Sequence, residues 1–234
     1  MARKSLVSVV ADDLLDQIIR GSLAIDAGLP SEADIGDTHD VSRMTVREAM
    51  KTLQAMGVVR VVSGTGSFVN PVSRWTSLAA VLRMAAAGTS DVDVAVQLLE
   101  VRRMFETGAA ALAASRCTAE DLHALSSELD HMRDAHERGD VDAFVRADLA
   151  FHDIILHASG NVILGVLFEP LTREMAERRT ETSRVTEIQT HAIEQHSSVL
   201  TALGAGDPEA SRMAMDSHMD QTLADLRTFV LRSR

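Results

Sequence analysis

Apolar positions recur every three to four residues over most of this chain and turn β-branched in one short stretch. That contrast predicts a helical protein with one small sheet. Leu6, Val9, Val10, Leu14 and Ile18 share a helical face. Ser31-Glu32-Ala33-Asp34 reads as a capping box with Asp in place of Glu, opening a short second helix. Ser42 caps a third helix whose apolar side holds Val46, Ala49, Met50 and Leu53. Gly57 ends it. Val58-Val59-Arg60-Val61-Val62 is β-branched, Ser63-Gly64-Thr65-Gly66 is a turn, and Ser67-Phe68-Val69 returns as a strand. Three helices followed by a hairpin is a winged helix-turn-helix order.

Beyond Pro71 the period is helical almost throughout, in seven segments: 74–87, 91–115, 118–138, 140–158, 161–180, 187–204 and 207–232. The breaks fall at Gly88-Thr89-Ser90, Thr118, Gly139, Gly160, residues 181–186 and Gly204 to Gly206. Pro30 precedes a helix start, and Pro71 lies in a polar break from Asn70 to Ser73. Asp207-Pro208 reads as an N-cap followed by Pro at the first helical position. Pro170 falls inside a helical segment and predicts a kink or a break. The expected fold is mainly α. A winged helix-turn-helix occupies residues 1–70, residues 71–77 link it to the first bundle helix, and an all-helical antiparallel bundle of about seven helices fills 78–234.

Composition narrows the class. Apolar residues make up 46% but aromatics only 3%, so the cores are aliphatic and methionine-rich. The single cysteine, Cys117, excludes an intrachain disulfide and reads as a small buried hydrophobe. No apolar run approaches the eighteen or so residues of a membrane span, and the first apolar stretch is too short for a signal segment. The expectation is a soluble cytoplasmic protein without a membrane partner. The formal charge of −11 excludes a uniformly basic nucleic-acid binder. That average hides an asymmetry. Residues 73–234 carry 16 basic and 25 acidic side chains, whereas residues 42–62 carry Arg43, Arg47, Lys51 and Arg60 against Glu48 alone.

On an arbitrary helix such a basic cluster is solvated surface. Here it coincides with the second helix of a helix-turn-helix, whose N-terminal part enters the major groove. Arg43 and Arg47, four apart, share a face, and Arg pairs with guanine edges or clamps phosphate. Ser42 and Thr45 can donate to phosphates, and Gly64 lets the wing turn approach DNA closely.

Four polar residues lie on apolar faces of the C-terminal helices. Asp148 and His152 are about 40° apart around a helix and share their face with Phe144, Phe151 and Ile155. His196 lies with Ala192, Val199, Leu200 and Leu203, and His218 with Met215, Met219, Thr222 and Leu226. Singly, each reads as a hydrogen-bonded core residue. Together, one carboxylate and three imidazoles from three helices suit a divalent transition metal (Zn, Ni, Mn or Fe) with positions left for water or ligand. His123, His131 and His136 fall on a charged helix and read as surface. His157 is off the face, His39 sits in the helix-turn-helix turn region, and His191 reads either way. Glu120/His123 and Glu128/His131 share one helix, whereas a di-iron bundle needs them on two, so that enzyme reading is set aside. Arg102 lies on the stripe Leu98, Phe105, Ala109, Leu112 and needs an anion. Glu106, one turn on, or a bound carboxylate ligand would serve.

Several spaced segments resemble the GntR family of bacterial transcription regulators over roughly residues 6–70. They are Ile19 to Leu23, Leu29-Pro30-Ser31-Glu32, Val41 to Ala49, Leu53, Gly57 and Gly64 to Val69. The resemblance implies operator contacts at Arg43, Thr45, Arg47 and Gly64. One position departs: after Pro-Ser-Glu the family has an Arg that reads a base, and this chain has Ala33, so the family's usual operator is not implied. Further on, Glu100 to Glu106, Leu112-Ala113-Ala114, Asp148 to His152, Ser159-Gly160-Asn161, His196 and His218 resemble the FCD effector domain of the FadR subfamily. That resemblance implies metal ligands at Asp148, His152, His196 and His218, with a small organic acid bound beside the metal through Arg102. The expected function is a homodimeric, ligand-responsive repressor or activator on double-stranded operator DNA, not an enzyme. Two alternatives stand beside it. One is a regulator that senses the metal with no organic effector; the other is a helical-bundle metalloenzyme, for which no general base or nucleophile pair accompanies the His/Asp set.

Overall fold

The computed structural model describes residues 5–88 and 91–230. The break read at Thr89-Ser90 and the last two residues of the final predicted helix lie outside them. The chain forms two compact units, Met1–Val94 and Ala95–Arg234.

The first unit contains α1 (Leu6–Ile19), α2 (Glu32–His39), α3 (Arg43–Ala55), β1 (Val59–Val62), β2 (Gly66–Val69), a 3-10 turn at Val72–Arg74 and α4 (Leu78–Gly88). The expected caps form. Ser31 accepts from the Asp34 amide while the Asp34 side chain returns to the Ser31 amide, and Ser42 accepts from the Thr45 amide. The strands pair antiparallel, Val59 opposite Val69 and Val62 opposite Gly66. Val10, Leu14, Leu15, Ile18, Val46 and Leu53 build the core; each buried aliphatic chain contributes about 1.5–3 kcal/mol. Gly57 closes α3 at φ 71°, and a Cβ there would lie 2.4 Å from the Arg74 carbonyl oxygen. This close approach lets the chain fold back beside the wing, where buried Trp75 donates its indole N–H to the Asn70 carbonyl at 3.1 Å. The helix expected from residue 74 begins at Leu78 instead. Its Ala80, Val81 and Met84 pack on the first unit's core, and its Arg83 pairs with Asp16 of α1 at 2.6 Å.

The second unit is helical among its described residues: α5 (Asp91–Ala114, its first residues counted with the first unit), α6 (Ala119–Arg138), α7 (Val141–Ala158), α8 (Val162–Thr182), α9 (Thr186–Gly204), α10 (Pro208–Asp225) and a π turn at Leu226–Val230. Thr118 and Asp121 form a capping box for α6, Gly139 ends it in the left-handed region, and Asp207 caps α10 ahead of Pro208. Helix α8 runs through Pro170 without a break. A proline removes one helical bond, and Phe168 and Leu171 on either side are buried, so packing holds the helix across the gap. Phe144, Phe151, Leu125, Met132, Met215 and Met219 fill the core. The Arg116 guanidinium donates to the Ser159 carbonyl, fastening the Ser159-Gly160 turn between α7 and α8 to the end of α5. Cys117 is half-buried, and burial followed by the nearby Asp121 raises its thiol above the ordinary value, as a structural rather than reactive cysteine requires. Among the described residues no helix is long and apolar enough to cross a membrane.

Candidate metal centre and nucleic-acid interface

The hydrophobic faces of α7, α9 and α10 carry Asp148, His152, His196 and His218 inward, because their helical neighbours are core residues. All four are buried, at 8%, 3%, 1% and 5% exposure. One ring nitrogen from each of the three histidines lies within 4.8 Å of the others. Asp148 Oδ1 stands 3.2 Å from His196 Nε2 and 3.8 Å from His152 Nε2. The three histidines, which the sequence places on three helical stripes, therefore meet, and Asp148 stands beside two of them.

Hydrogen bonding fixes which nitrogens carry lone pairs. His196 Nδ1 lies 2.6 Å from the Ala192 carbonyl, which can only accept, so Nδ1 holds the proton. His152 Nδ1 lies 2.5 Å from Glu106 Oε2. Burial would push Glu106 up, but Arg102 and then His152 hold its carboxyl well below the usual carboxylate range. Glu106 is therefore a carboxylate, and its nearness to His152 Nδ1 favours a proton on that nitrogen. The Nε2 atoms of His152 and His196 face each other at 3.2 Å. Burial, then the neighbouring charges, push His196 and His218 well below the ordinary histidine value, so both rings are neutral. His218 Nδ1 is buried without a hydrogen-bond partner. Converging ring nitrogens, a nearby carboxylate and an orphaned imidazole nitrogen fit a divalent cation.

Two guanidiniums complete the cluster. Arg102 of α5 is 6% exposed, donates Nε–H to Glu106 Oε1 at 2.7 Å and places Nη2 3.4 Å from His152 Nε2. Of the two anions open to Arg102 from the sequence, Glu106 is present. It also turns toward His152, an orienting role the sequence reading missed. Arg179 of α8, also missed, contacts Asp148 Oδ2. Burial and then the like charge of Arg102 push Arg179 well below its ordinary value, and its Nε–H has no partner. No periodic signal could have found Arg179, because it follows Glu177-Arg178 in a polar run that reads as solvated surface. The two guanidiniums balance Glu106 and Asp148, so a divalent cation would leave the cluster at +2 and attractive to an anion.

A cavity of about 110 Å3 adjoins the cluster at His218, Arg102 and Arg179. Arg102, Arg179 and His218 line it on one side, Leu98, Leu99 and Ile188 supply apolar wall, and Gln221 and Asp225 add polar groups from α10. His191 departs from the ambiguity of its sequence position: Nδ1 meets Asp225 Oδ1 at 2.9 Å. His136, read as surface, is half-buried against Gln189 Oε1 at 2.8 Å. The charged residues around it concealed a contact to another helix.

In the first unit, Arg43 and Arg47 are exposed at the start of α3, with Met44 66% exposed between Arg43 and Thr45. The hydroxyls of Ser42 and Thr45 lie 2.9 Å apart. Gly64 sits at the wing tip at φ 76° with open space around it. The basic cluster is less free than its sequence count. Arg47 pairs with Glu32 at 3.1 Å and Lys51 with Glu48 at 2.9 Å. Arg60 reaches Asp26 at 3.2 Å, donates to the Val69 carbonyl and covers the Phe68 ring. Counting charge over residues 42–62 omits Glu32 and Asp26, which the fold brings in. Arg43 alone of the four has no carboxylate partner among the described residues.

Two family models match the chain: "Bacterial regulatory proteins, gntR family" over residues 6–69, and "FCD domain" over residues 97–221. The HTH-type transcriptional regulator LutR of Bacillus subtilis is 31% identical over 213 residues, covering 86% of this chain and 92% of LutR. The HTH-type transcriptional repressor NanR of Cronobacter sakazakii is 27% identical over 226 residues, covering 96% and 86%. Among solved structures, Lar, which controls the expression of the Listeria monocytogenes agr system, superposes with a TM-score of 0.67 at 21% identity, over 98% of this chain and 100% of that one. Escherichia coli McbR/YncC superposes at 0.55 with 25% identity, over 96% and 98%.

Proposed function

Since the chain belongs to the GntR family of bacterial regulators, carries an FCD domain, and is a DNA-binding transcription regulator rather than an enzyme, we propose that a small organic acid bound at a metal in its C-terminal unit controls its operator affinity. The observation that carries this reading is the meeting of His152, His196 and His218, with Asp148 beside two of them, next to a cavity that His218 and the buried Arg102 line. The three histidines and Asp148 would hold a divalent transition metal, which when bound would supply Lewis-acid stabilisation to a carboxylate. Arg102 holds the carboxylate by a charge-assisted bond, and the Leu98 and Leu99 wall excludes water around it. The cavity beside the metal site favours an organic effector over a site that senses the ion alone.

Operator DNA is read by α3 and the wing, with Arg43 and Arg47 toward bases and phosphates, Ser42 and Thr45 toward phosphate, and Gly64 at the backbone. Operator reading takes place in the cytoplasm. Two copies present two reading heads to a pseudo-palindromic site. The exposed apolar face of α8, formed by Val162, Ile163, Val166 and Leu167, is a surface suited to pairing with a second copy. Effector binding shifts a two-state equilibrium only by its differential affinity for the two states.

Elemental analysis of the purified chain with gel shifts tests the reading. Metal is expected in the native chain and lost on joint His196→Ala and His218→Ala substitution, and operator affinity falls in Arg43→Ala and Arg47→Ala. Full metal occupancy in the double variant refutes the metal centre. Unchanged affinity in both arginine variants refutes the DNA assignment.

A further inference from the structure

Along α10 the cavity is lined by both His218 and Asp225, seven residues and about 10 Å apart along the helix. Arg102 and Arg179 line it as well. Asp225, the last residue of α10, is 5% exposed. A carboxylate buried so deeply costs free energy unless donors satisfy it. The donors present are Gln221 Nε2 at 3.0 Å and the His191 ring at 2.9 Å, both directed at Oδ1. No arginine or lysine pairs with Asp225 among the described residues. Gln221 spans both neighbours, lying 3.2 Å from His191 Nδ1 as well, so the group is held in place by α9 and α10 together. The chain then loosens into the π turn at Leu226–Val230, and Leu226 itself lines the cavity. Irregular turns of this kind are frequent at functional sites.

We propose that Asp225 is a specificity residue for the effector, accepting a hydrogen bond from an O–H or N–H group at the end of the ligand remote from its carboxylate. This rests on the carboxylate reading given above and adds the ligand's other end. The ligand class is then a short acid with a distal hydroxyl or ammonium, its middle against Leu98, Leu99 and Ile188. The cavity sets the size: about 110 Å3 is somewhat less than the roughly 150 Å3 in which one benzene fits. An acid with only methylene at that end would leave Asp225 desolvated with no donor from the ligand, the arrangement that gives polar sites their strongest discrimination.

The test compares matched acids on the metal-loaded full-length chain by calorimetry. The probes are propanoate through hexanoate and their ω-hydroxy and ω-amino counterparts. At one chain length, an ω-hydroxy or ω-amino acid is expected to bind about tenfold or more tightly than the plain alkanoate. Preference for the ammonium members assigns Asp225 a charge-pairing role and preference for the hydroxyl members an acceptor role; either supports the proposal. In Asp225→Asn the advantage shrinks to about threefold or less, because the donor acid loses its charged acceptor and the alkanoate no longer desolvates a carboxylate. The wild-type comparison needs no variant, so it stands even if Asp225→Asn fails to fold. Equal binding of alkanoates and donor acids at every length overturns the role of Asp225 and leaves the carboxylate reading intact. So does an undiminished preference in folded Asp225→Asn, where the His191–Asp225–Gln221 group would serve only to tie α9 to α10. Failure of every acid to bind the metal-loaded chain, or binding that survives Arg102→Ala, overturns the carboxylate reading and the inference with it.

Discussion

Replacing Glu106 with Gln changes no volume and removes one negative charge, yet it should cost the metal centre most of its affinity. Glu106 is 1% exposed; its Oε1 accepts from Arg102 Nε at 2.7 Å, and its Oε2 lies in close charged contact with His152 Nδ1 at 2.5 Å. An amide offers one oxygen and one NH2. If the oxygen faces Arg102, the NH2 faces His152 Nδ1, which must then accept, and the ring proton moves to Nε2. That nitrogen is the one aimed at Asp148 and His196, so the lone pair a cation needs is lost. If the amide flips, its NH2 opposes the Arg102 Nε–H. Carboxylates that orient a ligating histidine are worth about 10–100-fold in metal affinity, or about 1.4–2.7 kcal/mol. Chelator competition against the full-length chain, with far-UV circular dichroism to confirm folding, measures this directly. A folded Glu106→Gln chain that binds metal within about twofold of wild type refutes the tautomer argument.

Two further outcomes concern the DNA-binding unit. Gly57→Ala forces a Cβ to within 2.4 Å of the Arg74 carbonyl oxygen at φ 71°. It should destabilise that unit by at least about 1–2 kcal/mol, lowering the urea midpoint; an unmoved midpoint contradicts the close approach. His39 donates to the Ile35 carbonyl and meets Asp13 at 2.9 Å; the Ile35 bond first, then Asp13, raise its value above 6.5 despite burial, while His39 lowers Asp13 below 3.8. A raised histidine contributes stability that is complete below 6.5 and lost as pH climbs through the raised value, and a lowered Asp contributes stability lost as pH falls below 3.8. Stability from the pair is therefore full between those values and declines above 6.5. Urea titrations at successive pH values should show that decline in the wild type and a flatter profile in His39→Gln; parallel profiles would exclude the contribution.

The elements were legible because their signals are local. The Ser31 box, the Ser42 cap, Gly57, Gly139 and the Asp207-Pro208 start each act within one turn of helix, and all appear where the pattern puts them. Asp148, His152, His196 and His218 were legible for a related reason, since a polar side chain on an apolar stripe has nowhere to point but inward. Non-local partners left no such trace. Arg179 lies in a polar stretch, and only the path of α8 carries it to Asp148. Glu106 was visible as a neighbour of Arg102 but not as the partner of His152, which is 46 residues further along. The same limit explains the overcounted charge on α3, because Glu32 and Asp26 come from earlier segments. Helix α4 packs on the first unit's core, and the pattern alone could not show this, because an amphipathic helix reveals its apolar face and not which core that face joins.

The tryptophan behind the wing gives the molecule an unplanned reporter. Trp75 is the only tryptophan and the chain has no tyrosine, so red-edge excitation addresses a single indole in the DNA-binding unit. That indole is 7% exposed with its N–H bonded to the Asn70 carbonyl, and its emission will shift red when this unit opens to water. The helical C-terminal unit has no such fluorophore and registers mainly through its ellipticity. Unfolding of the two units can thus be followed separately in the unmodified protein, with no label attached.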